Sequence, residues 1–461
     1  MERLWDLARH EALVDVQSIS PELLQCVQHG DGVADHYGGR TAYTFLSQSN
    51  NHILTLEHLP DGKIKSRTII NMTGGYGTGI LGDEIKSIGA NFGSLLENAV
   101  TTNDEFHSLD RLRLTSTMKR LLAAHTATDP SEWEISFTST GSEAMDLALQ
   151  LVYLDGFNLT SGINSRKEKN IIVACHGAWH GWTLGTNQMV DRRQFTEGLP
   201  RISGIETVFM QYGSIDSLKD IFDNYRGRIR AISVEGILGD GGVVPASREW
   251  WQTLFDGAAI EGAKIVDDEI LSGFRCGGIL AIPDGLKPDC ITLGKALGFG
   301  LFPISAVAWR KNSLSLRAGI GVRTFNARPF QAAVVNAGIE KIESKNLFFH
   351  SRLLGQTLIQ GLKKISQRYP DVFKEVRGQG LFVGIELGDR FARRGHAVRN
   401  HLINFGVLTE IESGMFSRKV PKEGRTNETI RLTPPLTVDA ATLESAMIRI
   451  EECAASLKGQ L

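Results

Sequence analysis

Residues 263–270 read "AKIVDDEI", a short apolar run that ends in three consecutive acids. An apolar run of this length, rich in β-branched residues, is typical of a buried strand. The acids at its carboxyl end, Asp267, Asp268 and Glu269, are costly to bury unless they face a ligand, solvent or a partner. The stretch therefore predicts either a functional edge of a sheet or a strand end that merely turns into water.

The surrounding chain repeats this unit between about residues 130 and 311. Amphipathic stretches such as "SEAMDLALQLVYL" and "IDSLKDIFDNY" separate short strand-like runs. Continuous apolar strands that alternate with helices predict an α/β fold, with a mostly parallel central sheet covered by helices on both faces. The ligand site of such a sheet lies beyond the carboxyl ends of its strands. The strand-like runs are "WEISFTST", "NIIVACHG", "ETVFMQYG", "IRAISVEGIL", "AKIVDDEI", "DCITLG" and "ISAVAW".

The rest of the chain predicts a second unit. After about residue 335 a helix, a strand, a helix, a strand and a final helix follow one another, which indicates a smaller α+β domain. We expect the N-terminal segment to join it. The predicted division is 1–90 for the N-terminal part of the small domain, 91–334 for the large domain and 335–461 for the C-terminal part of the small domain.

The composition excludes several classes of protein. A net charge of −2 over 461 residues gives no electrostatic footprint for nucleic acid or an acidic membrane surface. No apolar run has membrane-spanning length, and the first residues contain acids and arginines without an apolar core, unlike a signal peptide. The five cysteines are scattered without a CxxC pair, so neither a disulfide framework nor a metal site is predicted. We expect a cytoplasmic protein without nucleic-acid or membrane partners.

A single lysine stands among glycines and apolar residues in "TLGKALGFG", residues 292–300. Desolvation lowers the pKa of a lysine amine and makes it a nucleophile, a base or a Schiff-base partner, although most loop lysines are simply solvated. Lys295 follows Asp268 by 27 residues, enough for one crossover that returns it beside the acids. An acid and a lysine at neighbouring strand ends suit pyridoxal phosphate, which needs an acid at its ring nitrogen and a lysine at its aldehyde.

Two further stretches suit the same cofactor. "FTSTGSEAMDLALQLV" predicts a strand, a Thr-Gly-Ser turn and a helix that begins near Ser142. The first N–H groups of a helix favour an anion, and the hydroxyls of Thr140 and Ser142 add donors; the alternative is an ordinary serine N-cap. "CHGAWHGWT" offers Trp179 as a flat surface for a ring, with His180 beside it, and the alternative for this pair is core packing.

Taken in order, these blocks resemble the class III, or ω-type, aminotransferases, pyridoxal-phosphate enzymes of fold type I, over roughly residues 35 to 455. The resemblance implies two catalytic residues, Lys295 for the Schiff base and Asp268, rather than Asp267, for the ring nitrogen. The positions that match the cofactor-binding motifs of the family are Thr140, Gly141, Ser142, Trp179, His180, Glu235, Asp268, Ile270, Lys295 and Thr324.

Individual roles also follow from the resemblance. Ile270 packs on the ring, and Glu235 in "VEGILGDGG" holds the neighbourhood of the ring hydroxyl and of Asp268. Thr324 in "TFNARP" matches a threonine that reaches the phosphate of the partner subunit. The resemblance therefore implies a homodimer whose active sites are shared between the subunits.

Four positions are candidates for substrate binding. Asp240 and Arg431 match an acid–arginine pair that opens toward substrate carboxylates in the family, but aspartate is one methylene shorter than the usual glutamate. We therefore expect this pair to be strained or absent. Arg328 stands where asparagine is usual and either binds a carboxylate or forms an interface ion pair. Tyr76 either lines the substrate pocket or packs within the protein.

The resemblance implies an aminotransferase that moves an amino group from an amine or amino acid to a keto acid or aldehyde. The alternative within the family is an aminomutase, racemase or epimerase, which the 27-residue interval, "GFR" and Leu271 favour slightly. A nicotinamide-dependent oxidoreductase is a rival class because "GTGILG", residues 77–82, is a literal G-x-G-x-x-G. No clear strand ending in an acid follows it, so this context disfavours that class. The lysine and the aspartate argue against a binding protein without catalysis.

Overall fold

The computed structural model describes residues 11–31, 33, 43–90, 92–97, 105–414 and 426–459. Within these ranges no helix is long and apolar enough to cross a membrane.

The N-terminal elements form a small sheet with the strand order β1-β4-β3-β2. These elements are β1 (Leu13–Val14), α1 (Pro21–His29), β2 (Tyr43–Ser49), β3 (His52–His58), β4 (Ile64–Asn71), α2 (Gly74–Gly77), α3 (Ile85–Gly89) and α4 (Phe92–Glu97). All neighbours in this order pair antiparallel. Local sequence sets the elements: Ser20 caps α1 by accepting a hydrogen bond from the Leu23 N–H at 3.2 Å, and Pro21 occupies the first helical position.

The middle of the chain forms a seven-stranded sheet with the order β5-β13-β12-β11-β10-β8-β9. Its elements are α5 (Leu109–Thr126), β5 (Trp133–Thr138), α6 (Gly141–Leu154), β6 (Phe157–Asn158), β7 (Ile163–Asn164), β8 (Ile171–Cys175), α7 (Arg193–Thr196), β9 (Glu206–Met210), α8 (Ile215–Asn224), β10 (Ile229–Glu235), α9 (Arg248–Glu261), β11 (Lys264–Glu269), β12 (Cys290–Leu293), β13 (Ser305–Arg310) and α10 (Pro329–Ser344). Strands β6 and β7 form a separate small hairpin. Of the seven strands, β13 runs antiparallel to both neighbours and the other adjacent pairs are parallel. The predicted α/β fold with a mostly parallel sheet is confirmed.

Alternation along the strands divides the apolar core into two layers. Ile265, Ile291 and Leu293 pack on the side of the sheet that also buries Trp250 of α9. Val266 and Cys290 pack on the opposite side, against α6. Because successive side chains of a strand point to opposite faces, Asp268 shares the α6 face with Val266, whereas Asp267 and Glu269 share the α9 face with Ile265.

The C-terminal part adds a second antiparallel sheet with the order β14-β15-β18-β17. Its elements are α11 (Leu347–Arg368), β14 (Phe373–Gln379), β15 (Phe382–Leu387), α12 (Gly395–Asn404), β16 (Val407–Leu408), β17 (Glu410–Glu412), β18 (Thr429–Leu432) and α13 (Ala440–Gly459). Strand β16 does not belong to this sheet. It pairs parallel with β4 of the N-terminal sheet, with Val407 opposite Ile70. This pairing brings the two ends of the chain into one sheet. The domain limits at residues 90 and 334 stay a prediction.

Candidate active site

The carboxyl ends of β8, β10, β11 and β12 meet at one edge of the central sheet. The parallel register places Glu235 opposite Asp268, and Asp268 opposite Thr292. Lys295 begins a 3₁₀ turn two residues after β12 ends at Leu293. The edge therefore gathers side chains that lie far apart in the sequence, as expected for a parallel sheet.

Asp268 is buried at this edge and paired with a histidine. One carboxylate oxygen, Oδ2, lies 2.8 Å from Nδ1 of His180, and the other accepts hydrogen bonds from the Ile270 N–H at 3.0 Å and the Thr292 hydroxyl at 3.4 Å. Burial opposes a charged imidazole, but the hydrogen bond to Asp268 and the charges of Asp268 and Glu235 outweigh it and raise the pKa of His180. His180 thus holds the carboxylate in place and compensates its charge.

The two acids that flank Asp268 lie on the opposite face. Asp267 is fully buried, and its carboxyl oxygens have no hydrogen-bond partner within the described residues. Burial, with the charges of Glu269 and Asp268, raises the pKa of Asp267 well above its ordinary value, so a neutral acid is expected there. Glu269 accepts hydrogen bonds from the N–H groups of Ala281 and Ile282, and burial raises its pKa to about 7.

Lys295 lies in a turn with unusual backbone geometry. Its φ of 31° falls in the left-handed region, which side-chain-bearing residues rarely adopt. The partly buried side chain lines a cavity of about 400 Å³ together with Thr78 and the 300–304 segment. Burial and the positive charge of Arg431 lower the pKa of Lys295, although Asp240, Glu410 and Glu412 oppose the shift. A larger fraction of the amine is therefore unprotonated and nucleophilic at neutral pH.

The start of α6 has a capping box formed by Thr140 and Glu143. The hydroxyl of Thr140 accepts a hydrogen bond from the Glu143 N–H at 3.3 Å, and the Glu143 carboxylate accepts from the N–H groups of Thr140 and Ser139 at 3.0 and 2.8 Å. Thr140, and not Ser142, is thus the N-cap, and the serine N-cap interpretation is wrong. The next N–H groups, of Gly141 and Ser142, have no intrahelical acceptor and suit an anion.

Ile270 lies between the α6 turn and the lysine turn. A Cβ atom added to Gly141 would lie 2.8 Å from Cγ2 of Ile270, and one added to Gly294 would lie 3.0 Å from its Cδ1. Only glycine permits this approach on both sides, because such Cβ distances are shorter than van der Waals contact. Ile270 therefore packs the α6 turn against the turn that carries Lys295.

Glu235 connects two loops of the site. Its carboxylate accepts hydrogen bonds from the Trp179 N–H at 2.9 Å and the Gly239 N–H at 3.0 Å, and burial raises its pKa to about 7. The half-buried ring of Trp179 meets the rings of Trp182 and Phe195 edge-on, with centroids 4.3 and 5.7 Å apart. Trp182 is 64% exposed. Trp179 thus belongs to an aromatic cluster that borders the site.

Asp240 and Arg431 are in contact, so the expectation that the pair is absent is wrong. Nη1 of Arg431 lies 3.5 Å from Oδ1 of Asp240. Glu410 and Glu412 lie closer to the same guanidinium, with contacts of 2.5 to 2.8 Å. Nη1 of Arg192 lies 3.4 Å from the other carboxylate oxygen of Asp240, Oδ2.

Three predicted residues lie at the periphery. Thr324 is exposed, and no hydrogen bond within the described chain joins it to the α6 turn. Arg328 is the N-cap residue before α10, and its guanidinium lies 5.6 Å from the centre of the Phe325 ring. Tyr76 is 53% exposed and has a φ of 56°, in the loop that leads to Thr78 in the lysine cavity.

The loop of Tyr76 is held by a buried arginine. The Nε–H of Arg275 donates to the Leu271 carbonyl at 2.6 Å, and its Nη2 donates to the Gly77 carbonyl. Burial lowers the pKa of Arg275 to about 10. The guanidinium leaves no room for a Cβ atom at Gly77, and its contact holds the loop next to Thr78, which lines the cavity with Lys295.

Sequence reasoning missed several of these residues, namely Glu410, Glu412, Arg192, Trp182 and Phe195. A signal for the first two exists in "TEIE", where acids two residues apart on a strand must face the same side. Phe195 carries no such signal, because it lies 16 positions after Trp179, whereas Trp182 follows Trp179 by only three residues in the same loop.

Comparison with known proteins gives a family match. Residues 58–454 match the family model described as aminotransferase class-III. The mitochondrial ornithine aminotransferase of Oryza sativa subsp. japonica is 30% identical over 312 residues, which are 67% of this chain and 63% of that protein. An acetylornithine aminotransferase of Agrobacterium fabrum is 28% identical over 329 residues, 70% of this chain and 75% of that protein. The matched region thus spans less than two thirds of the rice relative.

Solved structures share the fold over nearly the whole chain. The ornithine aminotransferase of Toxoplasma gondii superposes with a TM-score of 0.77 at 19% identity, covering 96% of this chain and 97% of that one. A transaminase of the marine bacterium Virgibacillus gives a TM-score of 0.78 at 20% identity, covering 95% and 99%.

The His180–Asp268 pair generates a titration prediction. We expect His180 to stay protonated above the ordinary histidine pKa of about 6.5 and to titrate at lower pH in the Asp268→Asn variant, because the hydrogen bond and the charge of Asp268 are lost while burial remains. The pair therefore contributes fully to the free energy of unfolding below about pH 6.5. This contribution is lost as pH rises through the raised pKa of His180. Histidine-selective NMR measures both titrations.

His125 is the control for this titration. Burial lowers its pKa, and Asp284 rather than Asp268 lies beside it, so the Asp268→Asn variant should leave its titration unchanged. A neutral His180 at pH 6 in the unmodified protein would contradict the assignment.

Proposed function

The chain belongs to the class III aminotransferase family, and on this premise we propose that it transfers an amino group from an amine or amino acid to a keto acid or aldehyde, with pyridoxal phosphate as cofactor. The observation that carries the proposal is the environment of Lys295. Its amine has a lowered pKa, and it lines a cavity at the same edge of the central sheet as Asp268.

The residues present fit the cofactor. Gly141 and Ser142 offer N–H groups to its phosphate at the start of α6, with the Thr140 hydroxyl beside them. Asp268 presents a charge-compensated carboxylate for the ring nitrogen. Ile270 and Trp179 would supply apolar surface to the ring, and Glu235 borders the site from β10.

Lys295 has two tasks in this proposal. When bound, pyridoxal phosphate supplies an aldehyde that condenses with amines and a ring that withdraws electrons from the attached carbon. The lowered pKa of Lys295 keeps its Nζ available as a nucleophile toward that aldehyde. The same Nζ would serve as the general base that takes the proton from the substrate carbon.

Asp268 and His180 act together as a hydrogen-bonded pair toward the cofactor ring. The Asp268 carboxylate would hold a proton on the ring nitrogen, and the imidazole of His180 orients that carboxylate through Nδ1. Asp240, Arg431, Arg328 and Tyr76 are the proposed substrate contacts around the cavity.

We also propose a homodimer with a shared site and a cytoplasmic location. The exposed Thr324 is free to reach the cofactor phosphate of a partner subunit. Exposed apolar side chains near the site, including Tyr76, Trp182 and Phe325, favour a covering subunit.

A half-reaction tests the proposed function. The protein purified with pyridoxal phosphate should show a visible absorption band that a single amine, added without a keto acid, removes permanently with release of one carbonyl product per site. Lys295→Ala should lower this rate by at least about a thousandfold, because both nucleophile and base are lost. Spectroscopy with product analysis measures both quantities.

The matched control is Lys287→Ala, since Lys287 is an exposed lysine on the segment before β12. It should react at the unmodified rate. Return of the band with isomerised amine would establish an aminomutase or epimerase instead, and an unchanged rate in Lys295→Ala would refute the role of this lysine.

A mixed dimer tests the shared site. One subunit carries Lys295→Ala and the other Thr324→Glu, whose carboxylate repels the cofactor phosphate, so each parent homodimer should be nearly inactive. In the heterodimer one site combines an intact Lys295 with an intact Thr324, and we expect about half the unmodified activity per dimer. If Thr324 serves its own subunit, both sites are damaged and purified heterodimers will show no recovery.

A further inference from the structure

The loop after β8 begins with a tight turn, residues 175–178, which we call the Gly177 turn. The N–H of Ala178 donates to the carbonyl of Cys175 at 3.1 Å, and Gly177 has a φ of 79°. This is a β-turn whose third residue takes a positive φ, a conformation that glycine adopts without strain. Trp179 follows directly, so the direction in which the chain leaves the turn sets the position of its ring.

Both backbone groups of Gly177 bind side chains of two consecutive residues. The Gly177 N–H donates to Oδ1 of Asp191 at 3.2 Å, and the Gly177 carbonyl accepts from Nη2 of Arg192 at 3.0 Å. The second carboxylate oxygen of Asp191, Oδ2, lies 2.6 Å from Nδ1 of His176. Asp191 and Arg192 therefore hold the middle of the Gly177 turn through both its donor and its acceptor.

These contacts are buried. The side chain of Asp191 is 1% exposed and that of Arg192 is 7% exposed. Nη1 of Arg192 also lies 3.4 Å from Oδ2 of Asp240, which joins the arginine to the loop after β10. Because Gly177 is itself buried, removal of either side chain would leave one of its backbone groups without its partner, which is costly.

The same segment of the chain covers the ring of Trp179. Phe195 lies three residues after Arg192, and its ring meets the rings of Trp179 and Trp182 edge-on, with centroids 5.7 and 5.4 Å apart. Residues 191–195 thus bind the Gly177 turn at one end and the aromatic cluster at the other. The position of Trp179 is therefore determined by this segment as well as by its own loop.

We propose that Asp191 and Arg192 are positioning residues for the cofactor: they fix the Gly177 turn, which places Trp179 against the pyridoxal ring, and they thereby increase the affinity for pyridoxal phosphate. The inference rests on the proposed function, in which Trp179 contacts the ring. Both residues act through the turn. A site that is already ordered loses less conformational freedom when its ligand binds, and this saving appears as affinity.

Asp191→Ala tests the inference with the cofactor alone. The dissociation constant for pyridoxal phosphate, measured by spectroscopic titration of the cofactor-free protein, should rise at least about tenfold, the size expected for the loss of hydrogen bonds to a charged group. Asp191→Asn keeps a side-chain oxygen for the Gly177 N–H and should recover most of the lost affinity.

Visible circular dichroism separates positioning from folding. Pyridoxal phosphate has no chirality of its own, so its dichroism in the protein arises from a fixed orientation of the ring. The signal per bound cofactor should fall in Asp191→Ala even when the cofactor saturates the protein, and Asp191→Asn should restore it.

Asp289→Ala is the matched control. Asp289 also accepts a hydrogen bond from a backbone N–H, that of Ile265 at 2.8 Å, and pairs with an arginine, Arg310, at 3.0 Å. It precedes β12 and thus lies at the amino end of that strand, at the opposite edge of the sheet from Lys295. Its loss should lower the free energy of unfolding and leave the cofactor affinity and the dichroism per bound cofactor unchanged.

Unchanged affinity and dichroism in Asp191→Ala, or an equal loss of both in Asp289→Ala, would overturn the inference. If Asp191→Ala does not fold, Arg192→Met replaces it: this variant removes the donor to the Gly177 carbonyl, and an unchanged affinity there would again contradict the inference. If the unmodified protein binds pyridoxal phosphate but converts no amine, the proposed function fails, and the affinity and dichroism measurements still decide the role of Asp191.

Discussion

The site depends on the buried pair of Asp268 and His180. Asp268 is the penultimate residue of β11, and His180 comes from the loop after β8, two strands away in the sheet. A single buried charge is expensive, whereas a hydrogen-bonded pair offsets part of that cost. The pair therefore fixes the loop that carries Trp179 against the strand that carries the acid. Glu235 lies on β10, between β8 and β11. It binds the same loop by accepting a hydrogen bond from the Trp179 N–H.

Strand alternation gives three consecutive acids two different environments. Asp268 faces α6 and the site, while Asp267 and Glu269 face the α9 layer, where burial raises their pKa values. The same rule, applied to β17, sends Glu410 and Glu412 together toward Arg431. The central sheet thus supplies Asp268 and the strand that leads to Lys295, and the C-terminal sheet supplies the charged group of Glu410, Glu412 and Arg431.

The sequence was sufficient for the features that depend on local pattern. Apolar runs between amphipathic helices predicted the mostly parallel sheet, and "TSTGSEA" predicted a helix start within one residue of the observed one. It was insufficient where partners lie far apart in sequence. The contact of Glu410 with Arg431 requires the register of two strands separated by 16 residues. His180 was identified, but its pairing with Asp268 depends on the position of the loop after β8 relative to the end of β11. No local sequence pattern records that position.

The central claim is that Lys295 is the residue that binds the cofactor aldehyde, and chemical trapping tests it most directly. The protein loaded with pyridoxal phosphate is reduced with sodium borohydride, digested and analysed by mass spectrometry. We predict one pyridoxyl group per chain, located on the peptide that contains Lys295, because burial lowers the pKa of this amine at the sheet edge. A label on another lysine, or no stable label after reduction, would contradict the account.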